Sequence, residues 1–232
     1  MISIENITKS FNGNVVLKNI SIKIPDKEIT CLLGPSGAGK TTLIRLILGA
    51  IKADSGRILI NGTPMPNLNI LGKIGFMPQG DALYENLSAI DNIRFFAGLY
   101  GVDSKMFEEQ SQKVLQLVNL TTEQHKLVSK FSGGMKKRLS IAIASINDPD
   151  IMLLDEPTVG IDPLLKQSIW KQFISWKEQG KMLIVSTHIT EEAHKCDRAI
   201  LINNNKVIAY NTLDKLLANT QNGKIEELFL IN

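Results

Sequence analysis

Cysteine is nearly missing from this chain of 232 residues. Cys31 and Cys196 lie far apart and form no CxxC or Cys/His spacing, so neither a disulfide framework nor a zinc site is suggested. A reducing, cytoplasmic compartment is the expectation that follows. Also missing is any apolar run near the ~18 residues that a membrane-crossing helix requires. Met1-Ile2-Ser3-Ile4-Glu5 lacks the basic start and apolar stretch of a signal peptide. The chain is expected to be soluble by itself, so that any membrane process it serves needs a separate membrane-embedded partner. Charge of one sign is not in surplus either: 26 Lys plus Arg against 23 Asp plus Glu leave a formal +3, too little to argue for nucleic acid or an anionic membrane. No nucleic-acid partner is expected. There is no fixed-period repeat, no low-complexity segment and no long Pro/Gly/Ser linker. A single domain, or one domain with a small lobe, fits the length, and 44% apolar residues suffice for a continuous core.

What is present is ordered along the chain. Ile20-Ser21-Ile22-Lys23-Ile24 alternates as a half-buried strand does, and Gly56-Arg57-Ile58-Leu59-Ile60 ends in the turn signal Asn61-Gly62. Ile29-Thr30-Cys31-Leu32-Leu33, Ile151-Met152-Leu153-Leu154 and Met182-Leu183-Ile184-Val185-Ser186 are mostly apolar without a break, as strands covered on both faces of a parallel sheet are. Helical patterns follow at 41–50 and 163–179, the second with Asp162 as cap, Pro163 in the first turn and Gly180 as terminator. Strands alternating with helices predict an α/β core. Residues 87–145 lack strand patterning and predict an inserted helical lobe, with Ile90, Ile93, Phe96 and Tyr100 near one face and Met106, Val114, Leu115 and Val118 near another. The aromatics Tyr84, Phe95, Phe96 and Tyr100 are dense there, which fits either packing within the lobe or a partner-facing surface.

Gly34-Pro35-Ser36-Gly37-Ala38-Gly39-Lys40-Thr41 satisfies GxxxxGK(S/T) directly after an apolar strand and before a helix, the context this phosphate-binding motif requires. Backbone N–H groups must curl around phosphate oxygens, and side chains at Gly34, Gly37 and Gly39 would obstruct that approach. The helix N-terminus adds partial positive charge. Lys40 is placed to bridge the β- and γ-phosphates of ATP, and the Thr41 hydroxyl to ligate the accompanying Mg²⁺. Asp155 and Glu156 close an apolar strand at the sheet edge where α/β proteins bind ligands. Asp155 suits the metal-directed carboxylate and Glu156 the group that polarises attacking water. A third buried-type strand ends at Ser186-Thr187-His188, so His188 is expected to reach the γ-phosphate or the water, whereas His125 and His194 have no comparable context. Ser132-Gly133-Gly134 opens a long helical pattern and makes a second helix N-terminus suited to anions. One P-loop cannot use two such ends, so this element is expected to complete the nucleotide site of another subunit. Lys136, Lys137 and Arg138 either support that site or form a solvated basic face.

Together these residues resemble the nucleotide-binding subunit of the ATP-binding cassette (ABC) transporter family over about residues 2–209. Residues 34–41 look like its Walker A, Gln79 its Q-loop glutamine, 131–135 its signature, 151–156 its Walker B, Asp162 its D-loop acid and His188 its switch histidine. The resemblance implies a P-loop NTPase (RecA-like) core with an antiparallel β lobe and a helical lobe. It implies a homodimer or heterodimer that sandwiches two ATP molecules between P-loop and opposing signature. Carried over, Phe11 would stack on adenine, Lys40 and Thr42 would hold phosphates, Gln79 would sense metal and water and relay to the membrane subunit, and Glu156 would be the general base. The stretches 82–87 and 95–101 look most like exporter subunits of the ABC-2 type, whose partner is a pair of polytopic permease subunits gripping the lobe near 79–100. That places the chain in the cytoplasm, peripheral on the inner face of the membrane. Soluble cassette ATPases acting on ribosomes or DNA are the alternative, but such proteins usually carry two cassettes or a long coiled-coil insertion. A P-loop kinase or a switch without turnover is disfavoured by the adjacent Asp155 and Glu156. The tail from 212 to 232 resembles nothing assignable.

The sequence departs from the family pattern at Phe131 and Met135, where Leu and Gln are usual, at Phe11 for the common Tyr, and at Val159-Gly160-Ile161-Asp162 for Ser-Ala-Leu-Asp. None of these removes a catalytic group. Met135 lacks one polar contact of the signature, so Met135→Gln is expected to tighten nucleotide-dependent dimerisation without restoring or abolishing hydrolysis. Sedimentation with ATP measures this, and an unchanged dimer affinity would count against it.

Overall fold

The computed structural model describes residues 1–80 and 82–230. Asp81, within the stretch expected to meet a permease, and the last two residues of the expected tail lie outside the described residues. The strands are β1 (Ile2–Phe11), β2 (Asn14–Ile24), β3 (Ile29–Leu33), β4 (Ser55–Ile60), β5 (Thr63–Pro64), β6 (Ile74–Met77), β7 (Ile151–Asp155), β8 (Met182–Thr187), β9 (Arg198–Asn203) and β10 (Lys206–Thr212). The α-helices are α1 (Lys40–Ile47), α2 (Leu68–Leu71), α3 (Ala89–Leu99), α4 (Ser104–Leu117), α5 (Gly133–Ser145), α6 (Pro163–Glu178), α7 (Thr190–Ala193) and α8 (Leu213–Leu217). The chain forms two compact units, Met1–Leu71 with the residues from Met182 onward, and Gly72–Lys181.

In the first unit β2, β1, β4 and β5 lie side by side in that order as an antiparallel sheet. Ile2 stands between Ile24 and Ile60, and Ile4 between Ile22 and Ile58, all of them buried. The alternation around Ile20–Ile24 thus becomes one apolar sheet face built from cross-strand isoleucine contacts. The second sheet of this unit sets β3 parallel to β8 and β9, with β10 antiparallel on β9. β3 is buried along its whole length, which its apolar run anticipated. Leu33 lies opposite Thr187 and Leu201, so the segments that follow β3 and β8 leave from one sheet edge. The two cysteines, distant in sequence, meet here as buried thiols without a disulfide. Hydrogen bonding with Cys31, and then burial, pushes the Cys196 thiol well above its ordinary range.

In the second unit β6 and β7 pair in parallel, from Ile74 opposite Ile151 to Met77 opposite Leu154. Its longer helices start on side-chain caps: Ser88 accepts from the Asp91 N–H, Asp103 from Lys105, Ser132 from Met135 and Asp162 from Leu165, with Pro163 opening α6. Residues 87–145 contain α3, α4 and α5, and Ile93, Leu115, Val118, Leu139 and Ile141 are fully buried among them. α6 contributes an aromatic column at helical spacing: Trp170 meets Phe173 edge-on at 5.4 Å, and Phe173 stacks on Trp176 at 5.8 Å. Lys181 is buried, with its ammonium 2.7 Å from the Asp148 carboxylate and donating to the Pro149 carbonyl at 2.8 Å, so its charge is compensated.

Phe173 is 0% exposed and Phe95 is 41% exposed. Phe173→Ala is therefore expected to destabilise the chain by about 3–5 kcal/mol, and Phe95→Ala by less than about 1.5 kcal/mol. Urea denaturation of the two variants provides the comparison, and equal losses would contradict this account of the core.

Candidate nucleotide site

The glycine-rich loop leaves β3 at Gly34 and enters α1 at Lys40. Gly39 caps the helix with φ 103°, in the left-handed region, and no side chain caps α1. A Cβ on Gly39 would also stand 2.9 Å from the Leu17 side chain. At Gly34 the structure adds a second reason. A Cβ there would lie 2.4 Å from the Ile202 carbonyl oxygen, so the residue must be bare to pack the loop on β9, not only to admit a phosphate. Pro35, Ser36 and Gly37 are exposed, Ala38 is buried, and Thr41 and Thr42 are half-buried on the first turn of α1. The buried Lys40 ammonium donates to the carbonyls of Gly34 at 2.8 Å and Pro35 at 3.0 Å, bracing the loop with the charge that the motif requires. His188 follows β8 and is exposed, beside the same cleft that Gly34 and Pro35 line. Phe11 ends β1 with its ring 44% exposed and the Lys9 ammonium 5.1 Å from the ring centre.

In the second unit the β6–β7 register brings Gln79 and Asp155-Glu156 out at one strand edge. The Gln79 amide donates to the Glu156 carboxylate at 3.1 Å. Glu156 is only 8% exposed and its φ is 53°, a left-handed conformation uncommon outside glycine. The Lys137 ammonium donates to the Glu156 carbonyl at 3.2 Å, tying that backbone to α5. Asp155 is buried beside it at the end of β7. Ser132 and Gly133 are exposed at the start of α5, where Ser132 accepts from the Met135 N–H at 3.3 Å, and a Cβ at Gly133 would meet open space. The three basic residues 136–138 make contacts within this chain. Lys136 pairs with Glu85 at 2.5 Å, Lys137 holds the Glu156 carbonyl, and Arg138 donates to the carbonyls of Val118 at 3.0 Å and Asn119 at 2.9 Å. Burial lowers the Arg138 pKa from its ordinary value. The Lys137 contact with Glu156 is one that sequence patterning missed, since a lysine on a helix gives no sign of which carbonyl it reaches.

The first unit thus offers a helix N-terminus, an ammonium and two hydroxyls to a phosphate chain, and the second a carboxylate pair with an amide to a metal or a water. Thr41 and Asp155 are hard oxygen donors of the kind Mg²⁺ takes, and Mg²⁺ commonly uses one or two carboxylates with substrate phosphates instead of a cage of protein ligands.

The family model described as "ABC transporter" matches residues 17–159. ABC transporter G family member 20 of Dictyostelium discoideum is 34% identical over 99% of this chain, and the Nod factor export ATP-binding protein I of Cupriavidus metallidurans is 35% identical over 90% of it. The chain spans 32% of the length of the first relative and 70% of the second. Among solved structures, an ATP-binding cassette determined as a dimer in a post-hydrolysis state with ADP and Pi superposes with a TM-score of 0.85 at 26% identity, covering 91% of this chain and 98% of that one. With an α/β P-loop fold, a family model over more than half of its length and relatives of this kind, the chain belongs to the ABC transporter family and is an ATP-binding, Mg²⁺-dependent ATPase cassette.

Proposed function

We propose that residues 1–232 work as one ATP-binding module that powers a separate membrane permease of the ABC-2 exporter type. The observation that carries its hydrolytic part is the Gln79–Glu156 hydrogen bond at 3.1 Å around a carboxylate held in left-handed backbone. A glutamate fixed in that way is oriented before water arrives, which is what a general base needs. The loop amides of residues 34–39, with Lys40, Thr41 and Thr42, bind the phosphates, and Phe11 stacks on the base. Glu156 accepts a proton as the water oxygen attacks the γ-phosphorus and the bond to the β–γ bridging oxygen breaks, releasing ADP and phosphate. Lys40 and His188 stabilise the charge that builds on the γ-phosphoryl oxygens. Thr41, Asp155 and Gln79 would hold Mg²⁺, which, when bound, neutralises the β- and γ-oxygens. Ser132, Gly133 and Gly134 serve the nucleotide of a second ATP-binding subunit, identical or homologous; the exposure of Ser132 and Gly133 at the start of α5 supports this.

No helix among the described residues is long and apolar enough to cross a membrane, and the polytopic partners are inferred from the likeness to ABC-2 exporter subunits. The exposed Tyr84, Phe95 and Leu99 offer them a surface, with Tyr84 and Phe95 stacked edge-on at 4.7 Å. This would hold the chain on the inner face of the membrane. Export is favoured by the Nod factor export relative, and the direction and cargo belong to the permease.

Glu156→Gln is expected to bind ATP, accumulate as a closed dimer and lose turnover by about 100-fold or more. Phosphate release at the wild-type rate in that variant would reject the assignment. Lys40→Ala should instead weaken ATP binding itself, seen by calorimetry. Phe95→Glu is expected to abolish co-purification with the permease from mild detergent while the isolated chain keeps its ATPase rate, and retained co-purification would remove the proposed docking surface.

A further inference from the structure

We propose that Glu226 is a positioning residue for ATP hydrolysis, acting through the Thr190 hydroxyl to set where the His188 imidazole stands. Resting on the role given to His188 above, this assigns work to a C-terminal segment that no motif covers.

Two hydroxyls flank His188. On one side the Thr187 Oγ1 accepts from the Ile189 N–H at 3.0 Å, and on the other the Thr190 Oγ1 donates to Glu226 Oε1. That hydrogen bond, and then one to backbone, holds the Glu226 carboxyl below its ordinary range, so it is ionised at neutral pH and can only accept. α7 begins at Thr190, has four residues and has no side-chain cap, so beyond the Glu192 N–H donating to the Ile189 carbonyl at 3.1 Å its first turn has little local restraint. The partner it uses comes from the 3-10 turn Ile225–Phe229, which is itself anchored. Ile225 and Leu228 are buried, and the Glu227 carboxylate accepts from the Gln221 N–H at 2.7 Å and the Asn222 N–H at 3.1 Å. Glu226 and Phe229 line, with Thr190, His188, Gly34 and Pro35, a cleft of about 330 Å³. One short turn of the tail therefore bonds to the switch-histidine segment and shares a cleft with the first residues of the phosphate loop. A side chain on a mobile stem loses its effective concentration at the reacting group, and a charge-assisted hydrogen bond at the next turn restrains that stem.

The test uses the full chain with MgATP. Glu226→Ala and Thr190→Val are expected to lower kcat by about three- to tenfold with KM for ATP within about twofold, while Thr190→Ser, which keeps the hydroxyl, stays at the wild-type rate. The ring carbon resonance of His188, in protein labelled at histidine, should shift or broaden in the first two variants and not in Thr190→Ser. Unchanged ATP affinity reports that each variant is folded. Wild-type kcat and an unmoved His188 resonance in Glu226→Ala and Thr190→Val overturn the proposal, and they leave the role of His188 standing if His188→Ala has lost turnover. Equal losses in Thr190→Ser and Thr190→Val also overturn it. Wild-type turnover in His188→Ala overturns both readings together.

Discussion

The constraint on which the proposed hydrolytic site depends is the conformation of Glu156. A non-glycine residue at φ 53° costs on the order of 1 kcal/mol or more and persists only where its surroundings over-determine it. Here three restraints meet: β7 delivers the residue from a fully buried strand, Lys137 holds its carbonyl and Gln79 holds its carboxylate. Removing the side chain leaves two of them in place, whereas loosening α5 or β6 would release the backbone as well. The strand pair and the helix are thus part of the site, not merely its scaffold.

Register explains how few residues suffice to build it. A parallel strand pair without a slip carries the residues just past both strand ends to the same edge. β3 with β8 does this for the phosphate loop and His188, and β6 with β7 for Gln79 and the two acids. In each pair the strands are apolar because they are covered, and the polar groups begin where the cover stops. A one-residue shift of β7 against β6 would put Glu156 where Asp155 now lies, and its side chain on the opposite face.

The sequence made the buried strands legible because their apolar runs end abruptly in glycine, acid or histidine. Leu33-Gly34, Leu154-Asp155 and Thr187-His188 mark both the strand ends and the chemistry. The helix starts were legible from Ser132 and Asp162, whose side chains do cap. β1, β9 and β10 were harder, since Glu5-Asn6, Arg198 and Asn203 to Asn205 interrupt any clean period, and their strand state is settled by pairing partners far along the chain. For the same reason the sequence left Lys136, Lys137 and Arg138 between an anion site and a solvated face, and did not show that each reaches a carbonyl or carboxylate of another segment. Gly34 was singled out for a phosphate alone, because the carbonyl of Ile202 that also packs against it is invisible 168 positions earlier.

The tail adds a point about where stability resides. A four-residue helix and a five-residue 3-10 turn cannot form on local hydrogen bonds, since nucleating a helix costs more than one turn returns. α7 persists because Glu192 and Ala193 are buried, and the turn because Ile225 and Leu228 are. Each therefore depends on packing that could open locally without unfolding β3 or β8, which are buried throughout. A phosphate loop fixed on the rigid sheet and a histidine carried on the softer element that follows it are suited to different tasks. Under the proposed function the first would hold the phosphates, whereas the second would adjust as the γ-phosphate is cleaved, within limits set by the few side chains that tether it.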